Sequence, residues 1–365
     1  MNPSLDHYYA VIMAGGGGTR LWPLSRQVRP KQMLSLFDER TLFQTSVNRI
    51  ADLFPFNKIF VVTVAEQAKE LQMQAPEIPE TNFIIEPMPK GTASVIGLAA
   101  VVIQKLDPEA IMVVLTSDHY IGNESEFRRL LVAAYEQAEK NSLVTLGIEP
   151  TFPAVGFGYI QRGDKIAADG DREVYQVKRF KEKPNETQAR EMLEGGDHTW
   201  NSGMFVWKTR RILEEFSRQM PEFYRNLSSI LAQNDIAAQT ETVKACWPGL
   251  QNETIDYGVM EHARDVVVIP AGSLQWNDVG SWDSLFEVIR GDEDGNIVMG
   301  GAHIGLDTRD SLVYMNQKRR LIVTIGVNDL IVVDTGDVLL VCRKDQAQRV
   351  RQVVNQLREN GQEYV

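Results

Sequence analysis

Apolar and polar residues follow two different patterns along the N-terminal part of the chain. Short β-branched apolar runs predict strands, at residues 8–13, 58–64, 83–85, 111–116 and 143–148. Between them, apolar residues at helical spacing predict helices, at residues 42–53, 66–74, 93–106 and 126–141, the first with Thr41 as its N-cap. Such alternation is typical of βαβ units. We therefore predict an α/β fold, Rossmann-like, with a mostly parallel sheet flanked by helices.

The pattern changes after residue 290. Residues 150–270 combine shorter strands with polar loops and should complete the first domain. Beyond a polar turn at 292–296, apolar runs recur about every nine residues and predict a small all-β unit or a short parallel β-solenoid. Residues 346–359 then predict a charged amphipathic helix. We therefore predict two domains, at residues 1–290 and 291–365.

Composition narrows the class of protein. The 365 residues, 43% hydrophobic and 24% charged, are typical of a globular protein. A net charge of −11 argues against a nucleic-acid partner. The cysteines, Cys246 and Cys342, form neither a disulfide framework nor a metal-ligand spacing and are predicted to be buried apolar fillers. The chain has no signal sequence and no apolar stretch of membrane-spanning length, so we expect a cytoplasmic protein without a membrane partner.

A glycine-rich segment directly follows the first predicted strand. It contains Gly15, Gly16, Gly17, Gly18, Thr19 and Arg20, with Lys31 further on. Glycine lets the backbone approach a ligand closely, successive N–H groups bind anions, and Arg and Lys add charge-assisted bonds. The segment therefore predicts a triphosphate-binding loop, with a flexible glycine turn as the alternative. Its spacing matches neither the P-loop nor the dinucleotide fingerprint, which argues against a nicotinamide-dependent dehydrogenase.

Two aspartates lie where predicted elements end. Asp118, which follows Ser117, is at the carboxyl tip of the fourth predicted strand, and Asp278 precedes a predicted helix at 282–289. Ligands of open α/β sheets bind beyond the strand tips, and Mg²⁺ takes one or two carboxylates together with substrate phosphates. Each aspartate could instead cap a helix, an alternative that is equally good for Asp278. The sequence assigns no role to His119.

Five further motifs are candidates for substrate contacts. Glu86, Pro87, Lys90, Gly91 and Thr92 lie where the third strand leads into a helix, whose N-terminus could meet a base or a phosphate, or they simply form a proline-rich turn. Residues 177–184 alternate like a strand, which predicts that Glu182 and Lys183 face opposite sides, with a solvated basic edge strand as the alternative. The remaining candidates are Gly158 and Tyr159 on a glycine-flanked strand, Asn201, Ser202 and Gly203 inside an apolar run, and Asp256 near a helix start.

Together these motifs resemble a known family. Gly-Gly-x-Gly-Thr-Arg-Leu-Trp-Pro-Leu-Ser-Arg followed by Pro-Lys-Gln is similar to the signature of sugar-1-phosphate nucleotidylyltransferases, in the form of the mannose-1-phosphate guanylyltransferase branch. Phe-x-Glu-Lys-Pro, Trp-Asn-Ser-Gly-Met-Phe and Ile-Asp-Tyr-Gly-Val-Met-Glu are also present in full. In the family's base-contacting motif, Lys90, Gly91 and Ser94 replace Arg, Asn and the second Pro.

The resemblance implies an activity. It implies transfer of GMP from GTP to mannose 1-phosphate with Mg²⁺, giving GDP-mannose and pyrophosphate, and a C-terminal left-handed β-helix that supports a homodimer. Some relatives continue into a phosphomannose isomerase domain, an activity we do not expect here. The alternatives are the same chemistry with another nucleotide or hexose 1-phosphate, or a GDP-mannose-sensing paralogue without catalysis. Such a paralogue should have lost Arg20, Lys31 or an aspartate, and all are present.

The resemblance also implies roles for the residues. The catalytic group is Arg20, Lys31, Asp118, Lys183 and Asp278, of which Asp118 and Asp278 bind the metal. The nucleotide-binding group is Gly15, Gly16, Gly17, Gly18, Thr19, Glu86, Pro87, Lys90, Gly91, Thr92 and Ser117. The sugar-phosphate-binding group is Gly158, Tyr159, Glu182, Lys183, Asn201, Ser202, Gly203 and Asp256.

Overall fold

The computed structural model describes residues 5–16, 18–166, 172–233, 235–317, 319–361 and 363–365. Contacts between Cα atoms divide the chain into two compact units. The first unit is Met1–Gly15, Ser46–Ser117 and Ile121–Gln275, and the second unit is Gly16–Thr45, Asp118–Tyr120 and Trp276–Val365. The glycine-rich segment from Gly16 onward thus groups with the C-terminal part of the chain, whereas Gly15 belongs to the first unit. The sequential boundary at residue 290 stays a prediction.

The strands follow the predicted runs closely in the N-terminal part. Their bounds are β1 Tyr8–Met13, β2 Ile59–Val64, β3 Phe83–Glu86, β4 Ile111–Thr116, β5 Tyr120–Ile121, β6 Leu143–Ile148, β7 Tyr159–Ile166, β8 Val174–Lys181, β9 His198–Lys208, β10 Val266–Pro270, β11 Trp276–Asn277, β12 Ile297–Gly300, β13 Ala302–Leu306, β14 Leu312–Met315, β15 Leu321–Ile325, β16 Leu330–Asp334 and β17 Leu339–Arg343.

The four helices predicted in the N-terminal part are present, with ends that differ by at most two residues from the predicted ones. The α-helices are α1 Leu42–Ala51, α2 Ala65–Gln74, α3 Thr92–Leu106, α4 Glu124–Glu139, α5 Glu186–Gly195, α6 Thr209–Gln219, α7 Pro221–Leu231, α8 Ile236–Cys246, α9 Ile255–Gly258, α10 Leu285–Val288 and α11 Val350–Glu359. Short 3-10 helices lie at Thr19–Leu21, Lys31–Met33, Phe56–Lys58, Glu80–Asn82, Trp247–Gly249, Met260–His262, Gly272–Leu274, Trp282–Ser284 and Lys344–Arg349. Thr41 is confirmed as the N-cap of α1, because its Oγ1 accepts from the Gln44 N–H at 3.1 Å.

A nine-stranded sheet forms the centre of the first unit, in the order β3-β2-β1-β4-β9-β6-β10-β8-β7. Strands β3, β2, β1 and β4 pair in parallel, as do β6 and β10, whereas β9, β8 and β7 join in antiparallel orientation. Apolar side chains of the sheet and of α3 form one core, which includes Val11, Ile96, Met112, Trp207 and Val268. The predicted α/β architecture is confirmed, and the parallel half brings the ends of β1, β3 and β4 to one edge.

The C-terminal strands of the second unit form a β-helix. Strands β12, β14 and β16 pair in parallel, and so do β13 and β15, while β17 closes against β16 in antiparallel orientation. Parallel pairing of strands that alternate along the chain means that successive coils stack. The predicted β-solenoid is therefore confirmed, and its left-handedness stays a prediction. Leu21 packs in the same apolar cluster as Trp282, Leu312 and Ile331.

Two predictions about individual features also have an outcome. Cys246 and Cys342 are free thiols, but both are half-buried, so their prediction as buried fillers is wrong. Cys342 lies on β17, where alternate residues face outward, and Cys246 ends α8. Across the part of the chain that the structure describes, no helix combines the length and apolar character needed to cross a membrane.

Candidate active site

The glycine-rich segment of the second unit is shaped around Gly18. Gly18 has φ of 49°, a left-handed conformation that costs non-glycine residues about 1–2 kcal/mol. A Cβ atom at this position would also overlap Cβ of Lys31. The hydroxyl of Ser25 donates to the Gly18 carbonyl at 2.6 Å, and the 3-10 helix Thr19–Leu21 begins immediately afterwards. Gly18 therefore lets the loop lie directly against the lysine.

The other residues of this segment differ in exposure. Gly16 and Arg20 are exposed, and a Cβ on Gly16 would meet no atom within 4 Å. Among the described residues, no acceptor forms a hydrogen bond with the Arg20 guanidinium. Gly17 lies outside the described residues. The segment thus presents open backbone and an exposed guanidinium, which suits an anionic ligand.

The Leu-Trp-Pro-Leu-Ser-Arg part of the segment is bonded within the second unit. The indole N–H of Trp22 donates to the Tyr364 carbonyl at 2.6 Å, and Trp282 donates to the Trp22 carbonyl at 2.9 Å. Arg26 forms two bonds with Asp337, at 2.7 Å from Nη1 and 2.9 Å from Nη2. These signature residues therefore anchor the loop on later parts of the chain.

Lys31 brings together the two aspartates that the sequence identifies. Its ammonium lies 2.9 Å from Asp118 Oδ2 and also donates to the backbone carbonyl of Asp278. Lys31 is only 5% exposed, whereas the Asp118 side chain is 33% exposed. Burial acts to raise the pKa of the Asp118 carboxyl, but the charge of Lys31, the neighbouring His119 and the hydrogen bonds to the carboxylate together outweigh it and hold the pKa below its usual range. The carboxylate is thus charged, fixed and still open to a ligand.

The helix-cap alternatives for these aspartates are wrong. Helix α4 is capped by Asn123, whose side chain accepts from the Glu126 N–H at 3.1 Å. Ser281 caps the 3-10 helix Trp282–Ser284. Asp118 and Asp278 are therefore not used as caps.

Asp278 is instead held in a strained turn. Its Oδ1 accepts from the Gly280 N–H at 3.1 Å, and Val279 between them has φ of 47°, which is rare for a β-branched residue. A Cβ on Gly280 would lie 2.6 Å from Asp278 Oδ2. Strain of this kind is concentrated at functional sites.

Asp118 and Asp278 are the candidates in the second unit for holding a divalent cation. Within the described ranges, no group of three or more His, Cys, Asp or Glu side chains forms a complete protein metal site. Mg²⁺, however, usually binds through one or two carboxylates and takes its other ligands from phosphates and water. Asp118 and Asp278, held near one lysine, fit this incomplete type of site.

Glu86 is the notable group of the predicted base-binding motif in the first unit. It is 2% exposed, its Oε1 would lie 3.0 Å from a Cβ on Gly15, and its Oε2 has no hydrogen-bond partner among the described residues. Burial raises the pKa of the Glu86 carboxyl to about 7. Buried Ser117 is also in the first unit, where its N–H donates to the Met13 carbonyl at 3.3 Å.

The rest of this motif is bonded to residues 248–255 of the same unit. The Lys90 ammonium donates to the Pro248 carbonyl at 2.9 Å, and the Lys90 carbonyl accepts from the Glu253 N–H at 3.1 Å. Gly91 has φ of 83°, and a Cβ there would overlap the Glu253 carbonyl. Pro87 is exposed. Thus the glycine at position 91 permits a close backbone contact that a side chain would block.

Helix α3 begins at Thr92, the last residue of this motif. Its Oγ1 accepts from the Ile255 N–H at 2.9 Å, so the motif is tied to the residue that precedes Asp256.

Five predicted sugar-phosphate residues meet in the first unit. Asn201 Nδ2 donates to Asp256 Oδ1 at 2.9 Å, and the Asn201 N–H donates to the Gly158 carbonyl at 2.8 Å. A Cβ on Gly158 would overlap the Glu182 carboxylate, which forms an ion pair with Lys183. Burial, followed by the charge of Glu182, raises the pKa of Asp256 to about 7. The cluster offers two carboxylates, an amide and an ammonium, a set suited to hydroxyls and a phosphate.

Glu182 and Lys183 do not face opposite sides, so that prediction is wrong. Strand β8 ends at Lys181, and Lys183 has φ of 45°, which breaks the alternation and lets its ammonium reach the neighbouring carboxylate. The solvated edge-strand alternative is also wrong, because β8 lies between β10 and β7.

The remaining predicted sugar-phosphate residues are less open. Tyr159 is fully buried, and its hydroxyl has no partner among the described residues. Ser202 is buried and accepts from the Met204 N–H at 3.2 Å. Gly203, with φ of 69°, donates to Asn201 Oδ1 at 3.1 Å. Ser202 and Gly203 therefore shape the bend that presents Asn201.

One supporting residue escapes the sequence analysis. The Glu261 carboxylate accepts from the Glu182 N–H at 3.0 Å, and it lies 3.7 Å from the Lys181 ammonium. The sequence feature that could have identified Glu261 is its position as the last residue of the motif Ile-Asp-Tyr-Gly-Val-Met-Glu. Glu261 therefore fixes the backbone that carries the sugar-site carboxylate.

Comparison with known proteins agrees with this arrangement. The family model for nucleotidyl transferase matches residues 9–295, and that for the MannoseP isomerase/GMP-like beta-helix domain matches residues 301–357. Mannose-1-phosphate guanylyltransferase of Escherichia coli (strain K12) is 37% identical over 366 residues, covering 97% of this chain and 74% of that protein. Mannose-1-phosphate guanylyltransferase ManC of Salmonella typhimurium is 38% identical with the same coverage.

A solved structure extends the similarity to the fold. The crystal structure of mannose-1-phosphate geranyltransferase from Thermus thermophilus has a TM-score of 0.85 and 35% identity, covering 96% of this chain and 99% of that chain. The two family models together cover residues 9–295 and 301–357, and the two curated relatives each match 97% of the chain. The chain therefore belongs to the nucleotidyl transferase family, among the mannose-1-phosphate guanylyltransferases.

Proposed function

We propose that this enzyme transfers GMP from GTP to mannose 1-phosphate and releases GDP-mannose and pyrophosphate. The observation that carries the proposal is the contact of one buried ammonium, on Lys31, with the Asp118 carboxylate and the Asp278 backbone. The nucleophile is an oxygen of a phosphate that is already ionised, so the reaction needs no strong general base. Catalysis then rests on positioning and on offsetting charge.

The second unit supplies the residues that bind the triphosphate of GTP. Backbone N–H groups of Gly16, Gly18 and Thr19 bind the phosphates, and the exposed Arg20 guanidinium stabilises the charge that develops on pyrophosphate as it leaves. Lys31 holds Asp118 in a fixed, charged orientation and adds positive charge at the same place.

Nucleotidyl transferases of this family generally use a divalent metal. We take Mg²⁺ as the metal and Asp118 and Asp278 as the residues that would hold it. When bound, the cation supplies positive charge that offsets the phosphate oxygens.

The first unit supplies the residues that bind the sugar phosphate and the base. Glu182 and Asp256 accept hydrogen bonds from hexose hydroxyls, Asn201 donates one, and Lys183 aligns the sugar phosphate. The unpartnered carboxylate oxygen of Glu86 accepts from the N–H donors that guanine presents, which favours GTP over ATP.

A homodimer and a cytoplasmic location are part of the proposal. The β-helix exposes a continuous set of large apolar side chains on β13 and β15, at Ile304, Leu306, Leu321, Val323 and Ile325. Apolar patches of this kind are typical of protein interfaces, and a second copy of the chain would cover the patch. Sedimentation of the wild type and of Val323→Glu tests the dimer, which the charge should dissociate.

The activity is tested by pyrophosphate release with Mg²⁺, across four nucleoside triphosphates and several hexose 1-phosphates. Release mainly from GTP with mannose 1-phosphate is the expected result. Release with another nucleoside triphosphate or another hexose 1-phosphate would support the same reaction but show that the proposed substrate is wrong. No release from folded protein that still binds GDP-mannose contradicts the proposal and favours a regulatory paralogue.

A further inference from the structure

His119 follows the proposed metal-binding Asp118 and contacts Trp276 on β11. Trp276 Nε1 lies 3.1 Å from His119 Nδ1, and the two rings meet edge to face at 89° with centroids 5.2 Å apart. The indole nitrogen of Trp276 is a donor only. The contact therefore requires His119 Nδ1 to be the acceptor.

This contact fixes the tautomer of the imidazole. When Nδ1 accepts, the proton of the neutral ring lies on Nε2. His119 Nε2 lies 4.0 Å from Asp118 Oδ1, while Lys31 contacts the other oxygen, Oδ2, at 2.9 Å. The ammonium of Lys31 thus contacts one oxygen of Asp118, and the imidazole of His119 lies near the other.

We propose that His119 is a positioning residue, oriented by Trp276, that aims its Nε2–H at Asp118 Oδ1 and so fixes the carboxylate for the metal–nucleotide complex. The inference rests on the proposed metal-binding role of Asp118. At 4.0 Å the N–H dipole acts on the charge of the carboxylate, and a shift of about 1 Å would bring the pair to hydrogen-bond distance. Partners behind a metal-binding residue set its orientation and commonly change metal affinity or activity about 10–100-fold when removed.

The chain itself suggests matched variants. In His119→Gln the side-chain amide can place an N–H donor near the position of Nε2, whereas the shorter His119→Asn cannot reach it. Trp276→Phe keeps an aromatic ring but removes the donor that fixes the tautomer. His303→Asn, on the β-helix strand β13, is the control for loss of a histidine elsewhere in the second unit.

The test is GTP binding by calorimetry in the absence of sugar phosphate, once with Mg²⁺ and once with EDTA. The ratio of the two affinities measures how much Mg²⁺ strengthens GTP binding, and the measurement requires no turnover. We expect this ratio to fall about tenfold in His119→Asn and Trp276→Phe, and to stay within threefold of wild type in His119→Gln and His303→Asn. Binding with EDTA and the melting temperature should be unchanged in all four variants.

Asp118→Asn separates the inference from the proposed function. If Asp118→Asn loses the Mg²⁺-dependent increase while His119→Asn keeps it, His119 has no positioning role and the inference is overturned. If Asp118→Asn keeps the increase, the proposed metal role of Asp118 fails and the inference fails with it. If both His119→Asn and His119→Gln lose the Mg²⁺-dependent increase in GTP affinity and also melt at a lower temperature, His119 has only a structural role. That result also overturns the inference.

Discussion

Arg26 and Asp337 form a two-point ion pair between residues 311 positions apart in the sequence. The Asp337 side chain is 50% exposed, so solvent screens the pair and a coupling energy of only about 0.5–1 kcal/mol is expected. A double-mutant cycle of Arg26→Ala and Asp337→Ala by urea denaturation measures it. The coupling should shrink in high salt, and strictly additive single effects would show that the pair contributes nothing.

Arg20→Ala should lower kcat about 10²–10³-fold, because removal of one transition-state donor has an effect of this size. Arg29→Ala is the matched control, since Arg29 is also an exposed arginine of the second unit and has no assigned role. Steady-state kinetics of pyrophosphate release compare the two. A kcat for Arg20→Ala within threefold of wild type would contradict the proposed role of Arg20 in stabilising the leaving pyrophosphate.

Gly18→Ala should destabilise the protein by about 2 kcal/mol or more, because alanine disfavours positive φ and its Cβ would overlap Lys31. Gly16→Ala, with no neighbour within 4 Å of its Cβ, should change stability by less than about 0.5 kcal/mol. Chemical denaturation of both variants provides the comparison. Equal losses would mean that the left-handed conformation of Gly18 is not needed.

Gly158→Ala should raise KM for mannose 1-phosphate roughly tenfold and leave KM for GTP nearly unchanged, because the new methyl group displaces the Glu182 carboxylate. Gly156→Ala, whose Cβ would meet nothing within 4 Å, is the matched control. Initial rates with each substrate varied in turn separate the two constants. An equal rise for both substrates would argue against a sugar-specific role of Glu182.

Glu86→Gln should stabilise the protein more at pH 8 than at pH 5. Burial raises the pKa of Glu86 from 4.5 to about 7, so the folded state holds a proton that the unfolded state releases. Wild-type stability therefore falls as the pH rises from 4.5 to 7, by at most about 3 kcal/mol, and glutamine removes this loss. Melting temperatures at both pH values measure the effect.

The same Glu86→Gln variant should raise KM for GTP, because the amide cannot accept both guanine donors. The exposed Glu66→Gln is the control for stability and kinetics. An identical stability difference at pH 5 and pH 8 would contradict the assigned ionisation.

Local patterns suffice for many elements and for part of the candidate site. The runs that form β1, β4 and β6 are predicted to the residue, because apolar β-branched stretches have few alternatives in a buried parallel sheet. Asp118 is found from its place directly after β4. The contact between Lys31 and Asp118 is not predictable in the same way, because the two residues are 87 positions apart and the contact depends on how the chain between them folds.

Predictions based on periodicity fail where the backbone leaves a regular conformation. Lys183 has φ of 45°, which ends the strand alternation, and no glycine at this position indicates the positive φ in the sequence. The bonds of Trp22 and Arg26 are also invisible in the sequence, since their partners are Tyr364 and Asp337. A signature motif shows that residues matter but does not say whether they touch substrate or hold the loop.

The anchoring of Trp22 and Arg26 has a consequence for how the protein is made. Their partners are translated more than 300 residues later, which at about 5–20 residues per second is a delay of roughly 15–60 s. During that time a nascent chain carries its glycine-rich segment without the bonds that hold it. The glycine-rich segment, although it is translated more than 300 residues before these partners, should therefore be among the last parts to acquire its final shape on the ribosome.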